Sequence, residues 1–154
     1  MTEISFYHLE RSNLELALPH LLEKVLERGK RALVIGDSET RIETLASLLW
    51  TYNSESWLPH GTSKDSYPEE QPIWLSCQDT NSNGACFLFL LNGVTSERVS
   101  DFERCFVLFD GHDSTLVEIA RTQWVNYRKE GHSMTYWQES TSGAWEKKYQ
   151  HYNN

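Results

Sequence analysis

Few residues in this chain have types and spacing that could do chemistry. Asp110, His112 and Asp113 stand together in DGHDS, directly after the apolar run CFVLF. A carboxylate and an imidazole at a strand end could bind a metal or move a proton. The same letters also spell an Asp-Gly turn followed by a helix cap. Both readings stay open at this point. The other histidines, His8, His20, His60, His132 and His151, are scattered without ligand spacing. Cys77, Cys86 and Cys105 form no CxxC or Cys/His pair of the kind zinc needs, and they read as inert thiols in apolar runs. After the first expected strand comes ERSN rather than GxGxxG, and after the second comes GDSET rather than GxxxxGK[ST]. No GxSxG elbow occurs. The expectation is therefore no catalytic residue, no metal and no cofactor. The alternative is a metal- or nucleotide-dependent α/β enzyme working at Asp110, His112 and Asp113.

Two other sets of residues have the chemistry of recognition. In LLWTYNSESWLPHG, Trp50 and Trp57 bracket a polar turn, and Leu58 and Pro59 follow. Both rings could fill the core, or they could anchor a partner, as exposed tryptophan clusters do. In ARTQWVNYRKEG, Arg121 and Trp124 are i,i+3 neighbours, and Arg128 lies two turns beyond Arg121. An arginine beside an aromatic slot suits an acidic peptide. The guanidinium can fork a carboxylate while the slot takes a terminal apolar side chain. A solvated helix face with Trp124 in the core would give the same letters.

The elements that must position these residues alternate along the chain. ISFYHL (4–9) reads as a strand. NLELALPHLLEKVLERGKR reads as a helix, with leucines at helical spacing, Pro19 near its start and Gly29 at its end. RALVIGD (31–37) is a strand buried on both faces, and ETRIETLASLLW is a helix capped by Asp37 or Ser38. A polar loop follows at 61–72. IWLSC, ACFLFLL and residues 105–109 read as strands. DSTLVEIARTQWVNYRKEG is the last clear helix, capped by Asp113 or Ser114 and closed by Gly131, and HSMTYWQE is a final strand. This order predicts an α/β class: a three-layer, Rossmann-like domain whose mostly parallel sheet is covered by helices on both faces. One domain is expected over 1–140, with a loosely ordered polar and aromatic tail over 141–154.

Composition narrows the function. At 154 residues the chain is one domain long, and 39% hydrophobic residues are enough for a packed core. Fourteen Lys plus Arg against 22 Asp plus Glu give a net charge of −8, the wrong sign for gripping nucleic acid with the whole surface. No apolar run is long enough to span a bilayer, and the N-terminus lacks the pattern of a signal peptide. A cytoplasmic location is the expectation.

The ordered set FYHL, GKRALVIGDSETRIETLASLLW, WLPH, FLFLLNG, CFVLFDG and ARTQWVNYRKEG resembles the chi subunit of bacterial DNA polymerase III holoenzyme over roughly residues 4–135. The resemblance implies a non-catalytic accessory subunit with an α/β fold related to nucleotide-binding domains but without their nucleotide site. It implies two protein partners: the psi subunit, which links chi to the clamp loader, and the acidic, phenylalanine-ended C-terminal tail of single-stranded DNA-binding protein. Some members of the family also contact a repair helicase. Residue by residue, it assigns Trp50 and Trp57, with Leu58 and Pro59 beside them, to psi. It assigns Arg121 and Trp124, with Val125 and Arg128 beside them, to the tail. A cytoplasmic, nucleoid-associated protein of the bacterial replisome, with little direct grip on nucleic acid, follows from it. The chain departs from the family pattern in having Trp57 where Phe is common and Val125 where Lys is common. Its 61–72 loop is acidic rather than Gly-rich, and its extension from Thr141 has no matching counterpart.

Overall fold

The structure, a computed structural model, describes residues 2–52 and 58–151. In chain order the elements are β1 (Glu3–Leu9), α1 (Leu14–Glu27), β2 (Ala32–Ile35), α2 (Glu39–Thr51), β3 (His60–Thr62), β4 (Ile73–Ser76), β5 (Phe87–Leu91), β6 (Arg104–Asp110), α3 (Ser114–Lys129), β7 (Ser133–Glu139) and β8 (Trp145–His151). The strands form one eight-stranded sheet in the order β3-β4-β2-β5-β6-β1-β7-β8. Neighbours run parallel from β3 to β7, and β7 pairs with β8 antiparallel. The mixed α/β class and the mostly parallel sheet expected from the sequence are both found.

The central strands explain why the sheet is parallel. ALVI, IWLS and FLFLL are buried along their whole length, which requires cover on both faces. Alternation then divides each strand between two cores. Ala32, Val34, Phe89 and Leu108 pack with Leu18 and Leu22 of α1 and with Leu45 and Leu49 of α2. Leu33, Ile35, Leu90 and Val107 pack with Ala120 and Tyr127 of α3. Leu18 and Leu22 are wholly buried, and each such side chain stabilises the fold by roughly 1.5–3 kcal/mol.

Side chains at the helix starts fix where each helix begins. Asn13 accepts the Leu16 N–H at 3.0 Å, Ser38 accepts the Arg41 N–H at 3.2 Å, and Asp113 accepts those of Thr115 and Leu116. Of the alternative caps that the sequence allowed, Ser38 and Asp113 take the position. Pro19 lies inside α1 and is buried there.

Two strands were not visible in the residue pattern. His60–Thr62, whose last two residues were read as the start of a polar loop, pairs with β4 as β3. Nothing apolar marks it. It is held by pairing and by the His60 ring, which bonds the carbonyls of Leu58 at 2.7 Å and Ala46 at 2.9 Å. The segment beyond Thr141, read as a loosely ordered tail, contains β8, paired with β7 along its length. Its side chains are largely exposed, so it shows no hydrophobic alternation. Cross-strand ladder bonds hold it, together with Trp145 edge-on to Tyr7 at 5.2 Å and Tyr149 edge-on to Tyr136 at 5.5 Å.

Candidate functional site

Helix α3 buries Ala120, Gln123 and Tyr127 against the sheet. The Gln123 amide donates to the Val94 carbonyl at 3.1 Å, which satisfies a polar group on that face. Beside the buried face runs a second stripe: Arg121, Trp124, Val125 and Arg128. Their i, i+3, i+4, i+7 spacing puts them in one row along the helix. All four line one groove of about 830 Å³. The sequence singled out these residues, and the fold brings them together.

The rest of the groove comes from strands. Tyr136 and Gln138 of β7, His8 of β1, and Lys148, Tyr149, Gln150 and His151 of β8 complete the lining. Aromatic rings organise the space. Trp124 is half-buried and stands edge-on to Phe6 at 5.5 Å, to Tyr136 at 6.1 Å and to Tyr149 at 6.5 Å. Trp124 is therefore both a core neighbour and a groove wall, so neither simple reading of it was complete. Tyr149 is 64% exposed and Val125 47%, so an apolar surface stays open to solvent beside the two arginines.

The charge of the groove is positive. No carboxylate of the described residues lines it. Among the described residues, neither Arg121 nor Arg128 has a carboxylate within ion-pair distance. The field of Arg121 reaches two titratable groups at the groove. His8 titrates below the usual imidazole range, first because it is buried, with Glu10 opposing and Arg121 assisting the shift. Tyr136 is pushed up to about 12 by burial, against the pull of Arg121. The His8 Nδ1 atom and the Tyr136 hydroxyl are 2.7 Å apart, so one bond fixes both at the groove. Gly111 lies against the His8 ring so closely that a Cβ there would collide with it.

These strand residues were not singled out in the sequence. Tyr136 and Gln138 alternate in an expected strand, which marks one face but not which face. Lys148 and Tyr149 lie in a segment without periodicity.

The second surface is arranged differently. Trp50, at the end of α2, is 62% exposed, and its ring lies 4.3 Å from that of His60. Leu58 is buried with α1 and α2, and Pro59 is half-buried. Trp57 lies outside the described residues. Since His60 opens β3 and the groove opens at β7 and β8, the two surfaces occupy opposite edges of the sheet.

The strand ends where α/β enzymes place their chemistry are engaged locally. Asp110 accepts the His112 N–H at 2.9 Å, His112 Nε2 meets the Glu10 carbonyl at 2.6 Å, and Asp113 caps α3. Among the described residues, no group of three or more His, Cys, Asp or Glu could hold a metal ion. After β1, where a dinucleotide fold offers N–H groups to phosphate, Glu139 takes them instead. Its carboxylate accepts the N–H of Glu10 at 3.0 Å, and both the N–H (2.9 Å) and the hydroxyl (2.8 Å) of Ser12.

Residues 1–135 match the family described as DNA polymerase III chi subunit, HolC. A curated relative from Rickettsia prowazekii (strain Madrid E), "Probable DNA polymerase III subunit chi", is 26% identical over 117 residues, and the alignment covers 71% of each chain. A family match over most of its length means that this chain belongs to the DNA polymerase III chi subunit family.

Proposed function

We propose that this chain is a non-catalytic coupling subunit of the polymerase III holoenzyme. The α3 groove holds the acidic C-terminal tail of single-stranded DNA-binding protein, and the Trp50 edge docks the psi subunit and, through it, the clamp loader. In this reading Arg121 pairs with a tail carboxylate, Trp124 walls the pocket for the terminal phenylalanine, and Arg128 and Val125 extend the contact. The observation that carries it is the row Arg121, Trp124, Val125 and Arg128 lining a groove that no carboxylate of the described residues lines, on a protein of net charge −8. The division of strand residues between two cores supports treating residues 1–140 as a three-layer, Rossmann-like unit. Among the described residues no helix is long and apolar enough to cross a membrane. We take the site of action to be the cytoplasmic replisome, reached through protein contacts rather than by direct grip on DNA.

The test is calorimetric titration with a short acidic peptide ending in Asp-x-Pro-Phe, at low and high salt, with a control peptide lacking the phenylalanine. Micromolar binding, about −8 kcal/mol, that needs the phenylalanine and weakens with salt is the expected result. Arg121→Ala should then remove on the order of 2 kcal/mol or more. An affinity indifferent to Arg121 would overturn the site assignment.

A further inference from the structure

Strand β8 lies beyond residue 135, where the family match ends, yet it supplies four of the residues that line the groove, Lys148, Tyr149, Gln150 and His151. Its register shows how. Trp137 pairs with Lys147 and Tyr136 pairs with Tyr149, so Lys148 is an extra residue with no partner on β7. A regular strand sends consecutive side chains to opposite faces. Here four consecutive residues, Lys148, Tyr149, Gln150 and His151, line the groove, so this edge strand borders it over all four positions. The bulge adds Lys148 to that border, because an inserted residue breaks the alternation and re-aims the side chains around it. Lys147, on the regular side of the bulge, instead lies over the Trp137 ring at 5.4 Å and does not line the groove.

We propose that β8 is the second jaw of the peptide groove: bulged Lys148 supplies a cation facing the α3 arginines, and Tyr149 completes the aromatic slot with Trp124. The inference rests on the acidic-peptide reading given above. Charge complementarity selects the occupant. Three cations, Arg121, Arg128 and Lys148, surround a space that no carboxylate of the described residues lines, in a chain of net charge −8. The exposed Tyr149 ring stands edge-on to both Trp124 and Tyr136, leaving a notch of aromatic edges for an apolar terminus. Lys148 is held in waiting by Glu146 at 3.0 Å. A peptide carboxylate therefore competes with Glu146 for the same ammonium group.

The experiment is titration of the full chain with the phenylalanine-ended acidic peptide, comparing Lys148→Ala, Lys147→Ala, Tyr149→Ala and Glu146→Gln. Lys148 and Lys147 carry the same charge one residue apart, so their comparison separates a placed cation from general attraction. Lys148→Ala is expected to weaken binding roughly fivefold and flatten its salt dependence, whereas Lys147→Ala leaves both unchanged. Tyr149→Ala is expected to weaken binding about tenfold. Glu146→Gln is expected to tighten binding roughly twofold by releasing Lys148. Equal losses from Lys147→Ala and Lys148→Ala would overturn the proposal. So would unchanged affinity in both Lys148→Ala and Tyr149→Ala while Arg121→Ala loses binding, a result that leaves the α3 site standing. If the unaltered chain does not bind the peptide at all, the acidic-peptide reading falls and this inference falls with it. Near-ultraviolet circular dichroism of each variant checks that β8 stays folded.

Discussion

Glu139 is a carboxylate at 3% exposure, and it holds the ERSN loop after β1 through Glu10 and Ser12. Burial pushes its pKa up, but the N–H and hydroxyl of Ser12 and the N–H of Glu10 outweigh burial and hold it below the usual range. A carboxyl group depressed in the folded state contributes stability above its unfolded pKa, and that contribution is lost as pH falls through the folded value. His8 is also depressed, chiefly by burial. The unfolded chain binds the imidazole proton first, so this contribution is present above the ordinary imidazole range and declines as pH drops through it. Thermal melts should accordingly be flat near neutral pH, fall in two stages on acidification, and fall again in alkali, where the unfolded chain ionises groups such as Tyr136 that the fold keeps protonated. Glu139→Gln should shrink the lower stage and cost about 1–3 kcal/mol at neutral pH, because two half-buried N–H donors lose a charged acceptor. A lower stage of undiminished size in that variant would refute the assignment. In the sequence, Glu139 was only the end of an expected strand. Its role exists because β7 lies beside β1, a neighbour more than a hundred residues away in the chain.

Helix α3 shows how far an element can be read before its surroundings are known. Its cap, its length and its Arg121–Trp124 pair all follow from local rules, because the i,i+3 and i,i+4 geometry is internal to a helix. Asp113 was ambiguous between a cap and a member of an acid–imidazole cluster. Here it accepts two helix N–H groups. Asp113→Ala should therefore lower stability by about 1 kcal/mol and leave peptide affinity nearly unchanged. Loss of a metal- or nucleotide-dependent thermal shift in that variant, in place of simple destabilisation, would revive the enzyme reading. Strands β3 and β8 mark the opposite limit. A three-residue strand and an exposed edge strand carry little apolar pattern, and both exist because a neighbouring strand offers them bonds.

At the scale of the molecule, the two candidate surfaces sit at opposite edges of one sheet, an arrangement suited to a subunit that holds two partners at once. Sites that far apart, with no shared partner, should act independently. Trp50→Ala removes an exposed ring, so it should change stability by no more than about 0.5 kcal/mol and leave groove affinity intact, while abolishing co-elution with psi. Undiminished co-elution would show that psi docks elsewhere. The alternation of apolar strands and amphipathic helices determined the α/β class and the parallel sheet, because burial on both faces is written into runs such as ALVI and FLFLL. The residue set of the chi family and the α3 stripe were legible for the same reason: each is contiguous in the chain or periodic along a single helix. Only the tertiary structure decided what lies opposite that stripe. Tyr136, His8, Lys148 and Tyr149 reach it from three strands, one of them bulged, and strand order and register are set by long-range pairing that no local pattern encodes.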